Sequence, residues 1–242
     1  MTTKTTPITR GKRKKLVIAI DGPAGAGKST IASRLARSLG YTNIETGAMY
    51  RALGLKAITS DVSVDDEDAL LRLADKSHIE LEPTTDGNRV LLDGQNVSQR
   101  IRERDVTEAA SRVSVHPQVR EWMVARQRQM GEAGGVVMEG RDIGSKVFPD
   151  ADVKVFLDAD PEVRGDRRYR QQAVPAAESL FAKAAKPEAV VAEMRERDQR
   201  DRTRANSPLA PAPDAVVIDS TNLSVDDVLE RVNKIIAAKT GR

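Results

Sequence analysis

The chain contains no cysteine, and among its 242 residues there are only two histidines, His78 and His116, three tyrosines, three phenylalanines and one tryptophan. Without cysteine there is no disulfide framework, no thiol nucleophile and no thiolate metal site. That composition fits a reducing, cytoplasmic setting. Aromatic residues make up 3% of the chain against 31% charged residues, so the core has to be aliphatic, and little stacking surface is left for single-stranded nucleic acid. No apolar run approaches the roughly 18 residues of a membrane helix. What is abundant is aliphatic: 39% hydrophobic residues are too many for a disordered chain of this charge, and the length allows one or two domains with a real core.

The net charge of +3 is not spread evenly. Of 39 basic residues, six (Lys4, Arg10, Lys12, Arg13, Lys14 and Lys15) lie in the first fifteen positions, with no acid beside them, which leaves 33 against 36 acids in the rest. The body is mildly acidic and the excess sits in a Thr-rich tail. Residues 1–15 read as a disordered basic leader, because the apolar run behind them, Leu16–Ile20, is shorter than the ~7–15 residues of a signal peptide. Six charges without aromatics make a weak RNA footprint. A nucleotide-dependent RNA-binding module is therefore the non-enzymatic alternative, and the expectation is no nucleic acid and no membrane as partner.

Leu16-Val-Ile-Ala-Ile20 is a continuous apolar run closed by Asp21-Gly22, the pattern of a parallel strand buried on both faces. From Lys28 onward Ile31, Leu35 and Leu39 recur at four-residue spacing, with Gly40 as a C-terminal stop. Val136–Met138, Val153–Leu157 and Ala215–Ile218 read as further strands and Tyr41–Ile44 as a weaker one, separated by helical stretches at about 118–131, 161–173 and 225–238. Alternation of this kind predicts an α/β fold with a parallel sheet covered on both faces. Two segments break it. Residues 60–103 hold an acidic helix, Asp65–Lys76, and then Ile79, Leu81, Val90 and Leu92 alternating about Asp86-Gly87-Asn88, a small antiparallel hairpin unit. Residues 166–204 have few apolar residues other than Ala and end in a charged helix, Glu193–Arg204.

Between the first strand and the first helix stands Gly22-Pro23-Ala24-Gly25-Ala26-Gly27-Lys28-Ser29, which matches G-x-x-x-x-G-K-[ST] in the setting that pattern requires. Glycines let successive backbone N–H groups curl about phosphate oxygens at the positive end of a helix. Lys28 is placed to reach the transferring phosphate, and the Ser29 hydroxyl suits magnesium. A guanine-reading protein needs Asn-Lys-x-Asp after a strand, whereas Asn233-Lys234 runs on into Ile235-Ile236 inside an amphipathic helix, which weakens a GTPase reading.

Arginines mark the remaining strand ends. Glu45-Thr46-Gly47-Ala48-Met49-Tyr50-Arg51 and Glu139-Gly140-Arg141-Asp142-Ile143-Gly144 each follow a strand, where ligands of open α/β sheets bind. Arg51 suits a phosphate, and Glu139 suits magnesium held through water. In the charged helix Arg197, Asp201 and Arg204 share a face, with Arg200 alongside. Taken alone, each run also reads as a solvated face with weak ion pairs.

Together with Val147-Phe-Pro-Asp-Ala151, these segments resemble bacterial cytidylate kinase, a P-loop nucleoside monophosphate kinase family, over residues 16–240. The resemblance implies a P-loop NTPase-type core (16–47, 104–165 and 205–242), a monophosphate-binding domain enlarged by a small sheet (48–103) and a helical lid (166–204). It implies a cytoplasmic monomer that phosphorylates CMP and dCMP with ATP and Mg2+, UMP being a poorer acceptor. Gly22 to Ser29 and Thr30 would bind ATP; Lys28, Arg141 and Arg204 would be catalytic. Arg51, Arg141 and Arg204 would clamp the acceptor phosphate, Ser111, Arg120 and Asp142 would read cytosine, Arg197 and Asp201 would hold the ribose, and Thr46 and Tyr50 would line the pocket. Ser29, and Glu139 through water, would hold the metal, although many relatives have Asp at the Glu139 position. The stretch Gln171–Ala192 is longer than the family's usual turn, so no lid residue is carried over. Arg164, Arg167 and Arg168 read equally as ATP-phosphate contacts and as surface charges. The enzymatic alternative is a P-loop kinase for another nucleoside monophosphate or a small acceptor such as shikimate.

Overall fold

The computed structural model describes residues 15–84, 87–176, 187–204 and 206–241. The basic leader, apart from Lys15, and Asp86 of the expected hairpin turn lie outside the described residues, as do residues 177–186 of the stretch Gln171–Ala192.

In chain order the elements are β1 (Val17–Asp21), α1 (Lys28–Leu39), β2 (Thr42–Glu45), α2 (Thr46–Thr59), α3 (Glu67–Asp75), β3 (Ile79–Thr84), β4 (Gly87–Leu92), β5 (Gln95–Asn96), α4 (Arg104–Val113), α5 (Pro117–Gly131), β6 (Val136–Gly140), β7 (Val153–Asp158), α6 (Pro161–Ala176), α7 (Pro187–Thr203), β8 (Val216–Asp219) and α8 (Val225–Thr240). A 3-10 turn, Arg100–Arg102, precedes α4, and a π-helical turn, Ile143–Val147, follows β6.

Five strands form one parallel sheet in the order β2-β6-β1-β7-β8. All five residues of β1 are buried, because each face carries its own aliphatic layer. Ile18 and Ile20 pack with Ile31 and Leu35 of α1 and with Val228 and Val232 of α8; Val17 and Ala19 pack with Val124 of α5 and with Val147 and Phe148. Side-chain alternation along a strand sends successive residues to opposite layers, so an uninterrupted apolar run is what a central strand needs. The connection leaving β1 runs to β2 at one edge of the sheet, whereas those leaving β6 and β7 run toward β8 at the other edge, so the strand order reverses at β1. A crevice opens beyond the carboxyl ends at that point.

Beside this sheet, β3, β4 and β5 make a three-stranded antiparallel sheet with Ile79 opposite Leu92 and Leu81 opposite Val90. Asn88, itself buried, fastens it to β2: its amide nitrogen donates to the Asn43 carbonyl at 2.9 Å, and its amide oxygen accepts from Glu45 N at 3.2 Å. The sequence pattern assigned no helix to α2 or α4. Helix α2 buries Thr46, Ala48, Met49, Ala52, Leu53, Leu55 and Ala57 around most of its circumference, so no single apolar stripe advertises it. Among the described residues no helix is long and apolar enough to cross a membrane.

Candidate active site

The turn from β1 into α1 supplies the first wall of the crevice. Gly25 has φ +74, and a Cβ there would lie 2.8 Å from the Arg164 carbonyl oxygen and 2.8 Å from Met194 Cε. Only glycine fits between this turn and the two helices α6 and α7 that close on it. The Lys28 ammonium folds back on its own turn, donating to the Pro23 carbonyl at 2.6 Å. Burial, with Arg141 nearby, pulls its pKa down to about 7, against the opposing influence of Glu139 and Asp21. Across from it, burial and the neighbouring Glu45 push the Glu139 carboxyl up to about 7, while Lys28 and a hydrogen bond from Ser29 work the other way. Behind the turn lies a cleft of about 380 Å³, lined among others by Gly27, Thr30, Leu157, Arg167, Ser220 and Val225.

The opposite wall is built of guanidinium groups with carboxylate partners. Arg51 pairs with Glu45. Although burial alone would raise the Glu45 carboxyl, the charge and hydrogen bond of Arg51 hold it below its usual range. Arg141 donates from Nε to Asp201 at 3.0 Å, and Arg204 reaches the other oxygen of Asp201 at 3.5 Å while donating to the Ser207 carbonyl at 2.6 Å. Arg197 has its pKa lowered to about 10 by burial and by Arg141. These groups converge from β2, α2, β6 and α7, which no local sequence window unites.

A third cluster lies deeper. The Arg120 guanidinium pairs with Asp142, donates to the Ser114 carbonyl at 3.0 Å, and stacks over Tyr50 with its carbon 5.8 Å from the ring centre. Burial drives the Tyr50 hydroxyl up to about 12. Ser111 is buried on α4 nearby in the chain. Thr46 is buried as well, and its hydroxyl donates to the Glu139 carbonyl at 2.8 Å, tying α2 to β6.

Among the described residues, several buried polar atoms in this region find no hydrogen-bond partner: Arg51 Nε, Arg120 Nε, Glu139 Oε1, Arg197 Nε and Arg204 Nη2. Buried polar groups are rarely left unpaired. Four guanidinium nitrogens and one carboxylate oxygen without partners, gathered in one region, are groups that an anionic ligand and its cation would satisfy.

The structure thus brings Lys28, Thr46, Tyr50, Arg51, Arg120, Glu139, Arg141, Asp142, Arg197, Asp201 and Arg204 to one crevice. It leaves Arg200 out: this residue is exposed on α7, because the inward face is set by Val190, Met194, Arg197, Asp198 and Asp201. Arg164 and Arg167 are not surface charges. Arg164 is 4% exposed, donates to the Ala24 and Ala159 carbonyls at 3.1 and 2.9 Å, and pairs with Asp198 at 2.5 Å. Arg167 donates to Ser220. Arg168 is partly buried, its pKa lowered by that burial and by the nearby Arg51 and Arg102. Sequence reasoning missed Asp21, Glu45 and Asp198. The signal for Asp21 was available: an acid that ends a wholly buried strand has to find partners.

Comparison with known proteins agrees in kind with this arrangement. A protein-family model described as cytidylate kinase matches residues 18–238. The cytidylate kinase of Solibacter usitatus (strain Ellin6076) is 50% identical over 94% of this chain and 95% of its own length. That of Geobacillus kaustophilus (strain HTA426) is 48% identical over 95% of this chain and 100% of its own. An uncharacterized protein from Eubacterium ventriosum ATCC 27560 superposes with a TM-score of 0.50 over 93% of this chain and 99% of its own at 12% identity, a likeness of fold alone. With identity near one half along almost the whole chain, this protein belongs to the cytidylate kinase family.

Proposed function

We infer that the chain transfers the γ-phosphoryl group of ATP to CMP and dCMP, giving ADP with CDP or dCDP, and that UMP is a poorer acceptor. The observation that carries this reading is the facing of a phosphate-binding turn, with Lys28, against Arg51, Arg141, Arg197 and Arg204. One wall suits a triphosphate and the other a monophosphate. In the same reading residues 16–47, 104–165 and 205–242 act as core, 48–103 as monophosphate-binding domain and 166–204 as lid, in a monomeric cytoplasmic enzyme.

A phosphate monoester is already anionic near neutral pH, so no histidine or carboxylate base is required. Catalysis then rests on positioning and charge. Backbone N–H groups of residues 24–30 hold the donor phosphates, and Lys28 leaves the Pro23 carbonyl to neutralise the equatorial oxygens of the transferring group. Arg51, Arg141 and Arg204 fix the acceptor phosphate in line. Arg120, Asp142 and Ser111 read the cytosine edge from the stack against Tyr50, and Arg197 with Asp201 holds the ribose. Closure of α6 and α7 excludes water that would otherwise hydrolyse ATP.

The Ser29 hydroxyl and the unpartnered Glu139 oxygen are hard oxygen donors that fit Mg2+. Among the described residues no group of three or more His, Cys, Asp or Glu side chains converges, which suits a cation that ATP brings with it. When bound, Mg2+ would shield charge between the phosphates.

An acceptor panel (CMP, dCMP, UMP, AMP, GMP and shikimate) with ADP release as readout tests the reading. CMP and dCMP are expected to stimulate turnover most and UMP less. Stimulation by another acceptor alone would overturn it.

A further inference from the structure

We propose that Asp21 is a positioning residue for acceptor recognition: its side chain fastens the Arg141–Asp142 loop to the strand that carries the phosphate-binding turn. The proposal rests on the acceptor reading above and assigns a task to a residue outside the candidate ligand set.

Asp21 is the last residue of β1 and is 5% exposed. Its two carboxylate oxygens divide between two backbone donors, Ile143 N and Gly144 N, each at 2.8 Å and more than 120 residues away in sequence. Those N–H groups open the π-helical turn Ile143–Val147, where main-chain donors have no acceptor within the turn itself. Asp142, just before them, has φ −151 and ψ 26, outside the regular helical and extended values.

The loop is also held from its other end. A Cβ on Gly140 would lie 2.7 Å from Thr46 Oγ1 and 2.7 Å from Ile143 Cδ1, which leaves no room for a side chain between β6 and α2. Arg141 and Asp142 are the two residues suspended between this close contact and the Asp21 tether. Arg141 reaches Asp201 and Asp142 reaches Arg120, so a shift of the loop would displace both guanidinium positions together.

Lys28 is the alternative beneficiary, since it also lies near Asp21. Geometry and electrostatics favour the loop. Lys28 donates to Pro23, and the two backbone hydrogen bonds act on the Asp21 carboxyl more strongly than Lys28 does, although burial still raises its pKa to about 6. A carboxylate serving two N–H groups of one turn cannot be matched by an amide, which offers one acceptor and turns a donor toward the second N–H.

The test is Asp21→Asn in the full chain, with KM measured separately for CMP and for ATP and with folding followed by thermal unfolding. A tether predicts a rise of about tenfold or more in KM for CMP, with KM for ATP within about twofold. It also predicts that, at a fixed concentration, CMP raises the unfolding temperature less than in the wild type while an ATP analogue raises it as much. Loss of stability alone would lower the active fraction and leave both KM values in place, which overturns the proposal; an equal rise in both KM values, assigning Asp21 to Lys28, overturns it too. If Asp21→Asn does not fold, Asp21→Ser, which keeps one acceptor, is read the same way. Failure of both to fold would overturn positioning in favour of a purely structural role. Wild-type protein without CMP-dependent turnover would sink the functional reading, and the proposal with it.

Discussion

The two walls of the crevice are made in opposite ways. The proposed donor wall is nine consecutive residues, Gly22 to Thr30, on one strand–helix junction, and the groups it offers are mainly backbone N–H donors and the Lys28 ammonium. The proposed acceptor wall gathers side chains from β2, α2, α5, α7 and the loop after β6, and four of its guanidinium groups are already matched to carboxylates: Arg51 to Glu45, Arg141 and Arg204 to Asp201, Arg120 to Asp142. A site of backbone dipoles is specified by local sequence and tolerates change around it. A site of paired charges is specified by the whole fold, and removal of one member leaves its partner buried and uncompensated.

The largest effect should come from the donor wall. Lys28→Met is expected to lower kcat by about a thousandfold, while raising the unfolding temperature of the ligand-free protein, because a buried ammonium is replaced by an apolar chain of similar length. A variant that lost both activity and stability would break the contrast between the walls. On the acceptor wall Arg141→Ala should lower kcat/KM for CMP by about a hundredfold. Asp142→Ala should raise KM for CMP far more than KM for ATP, and it should destabilise the fold by about 3–5 kcal/mol because Arg120 is left unpaired; chemical denaturation of this variant beside Asp142→Asn separates the two effects.

A smaller effect concerns pH. Glu139 (about 7) and Asp21 (about 6) titrate above the ordinary carboxylate range, so the folded state holds their protons longer than the unfolded chain. Their contribution is fully present below the unfolded values and is lost as pH rises through about 6 to 7. Lys28, depressed to about 7, acts in the other direction: stability increases as pH rises from there toward the ordinary lysine value. The ligand-free protein should therefore show a shallow stability minimum near neutral pH. Glu139→Gln is expected to flatten the acid side and Lys28→Met the alkaline side in thermal scans. Smallest of all, Arg200→Ala and deletion of residues 1–14 should each change the kinetic constants by less than about twofold, and a greater loss would enlarge the acceptor wall or add the tail to the enzyme.

The same contrast explains how far the sequence could be read. The parallel sheet was legible because an apolar run such as Leu16–Ile20 has few other uses, and the phosphate-binding turn because all its parts are contiguous. Helix α2 was not, since burial on most sides erases the periodic stripe by which a helix announces itself. Arg197, Asp201 and Arg204 were visible as one face of a charged helix, but only α7 docking on the turn distinguishes that face from an ordinary solvated one, and it also removes Arg200. Ser111 and Arg120 came from family resemblance alone: nothing in their local composition separates them from neighbours. Glu45 and Asp21 escaped notice because their partners, Arg51 and two main-chain N–H groups, become partners only once the chain is folded.

The carboxylates behind the acceptor arginines also set terms for what may enter. At the proposed acceptor site a newcomer must offer each paired guanidinium a better anion than the one it already holds, so a phosphate would displace Glu45 from Arg51, whereas a bare nucleoside has nothing to exchange. In the proposed reading, selection for a monophosphate over its unphosphorylated precursor is thereby written into the resting protein, before any base is read.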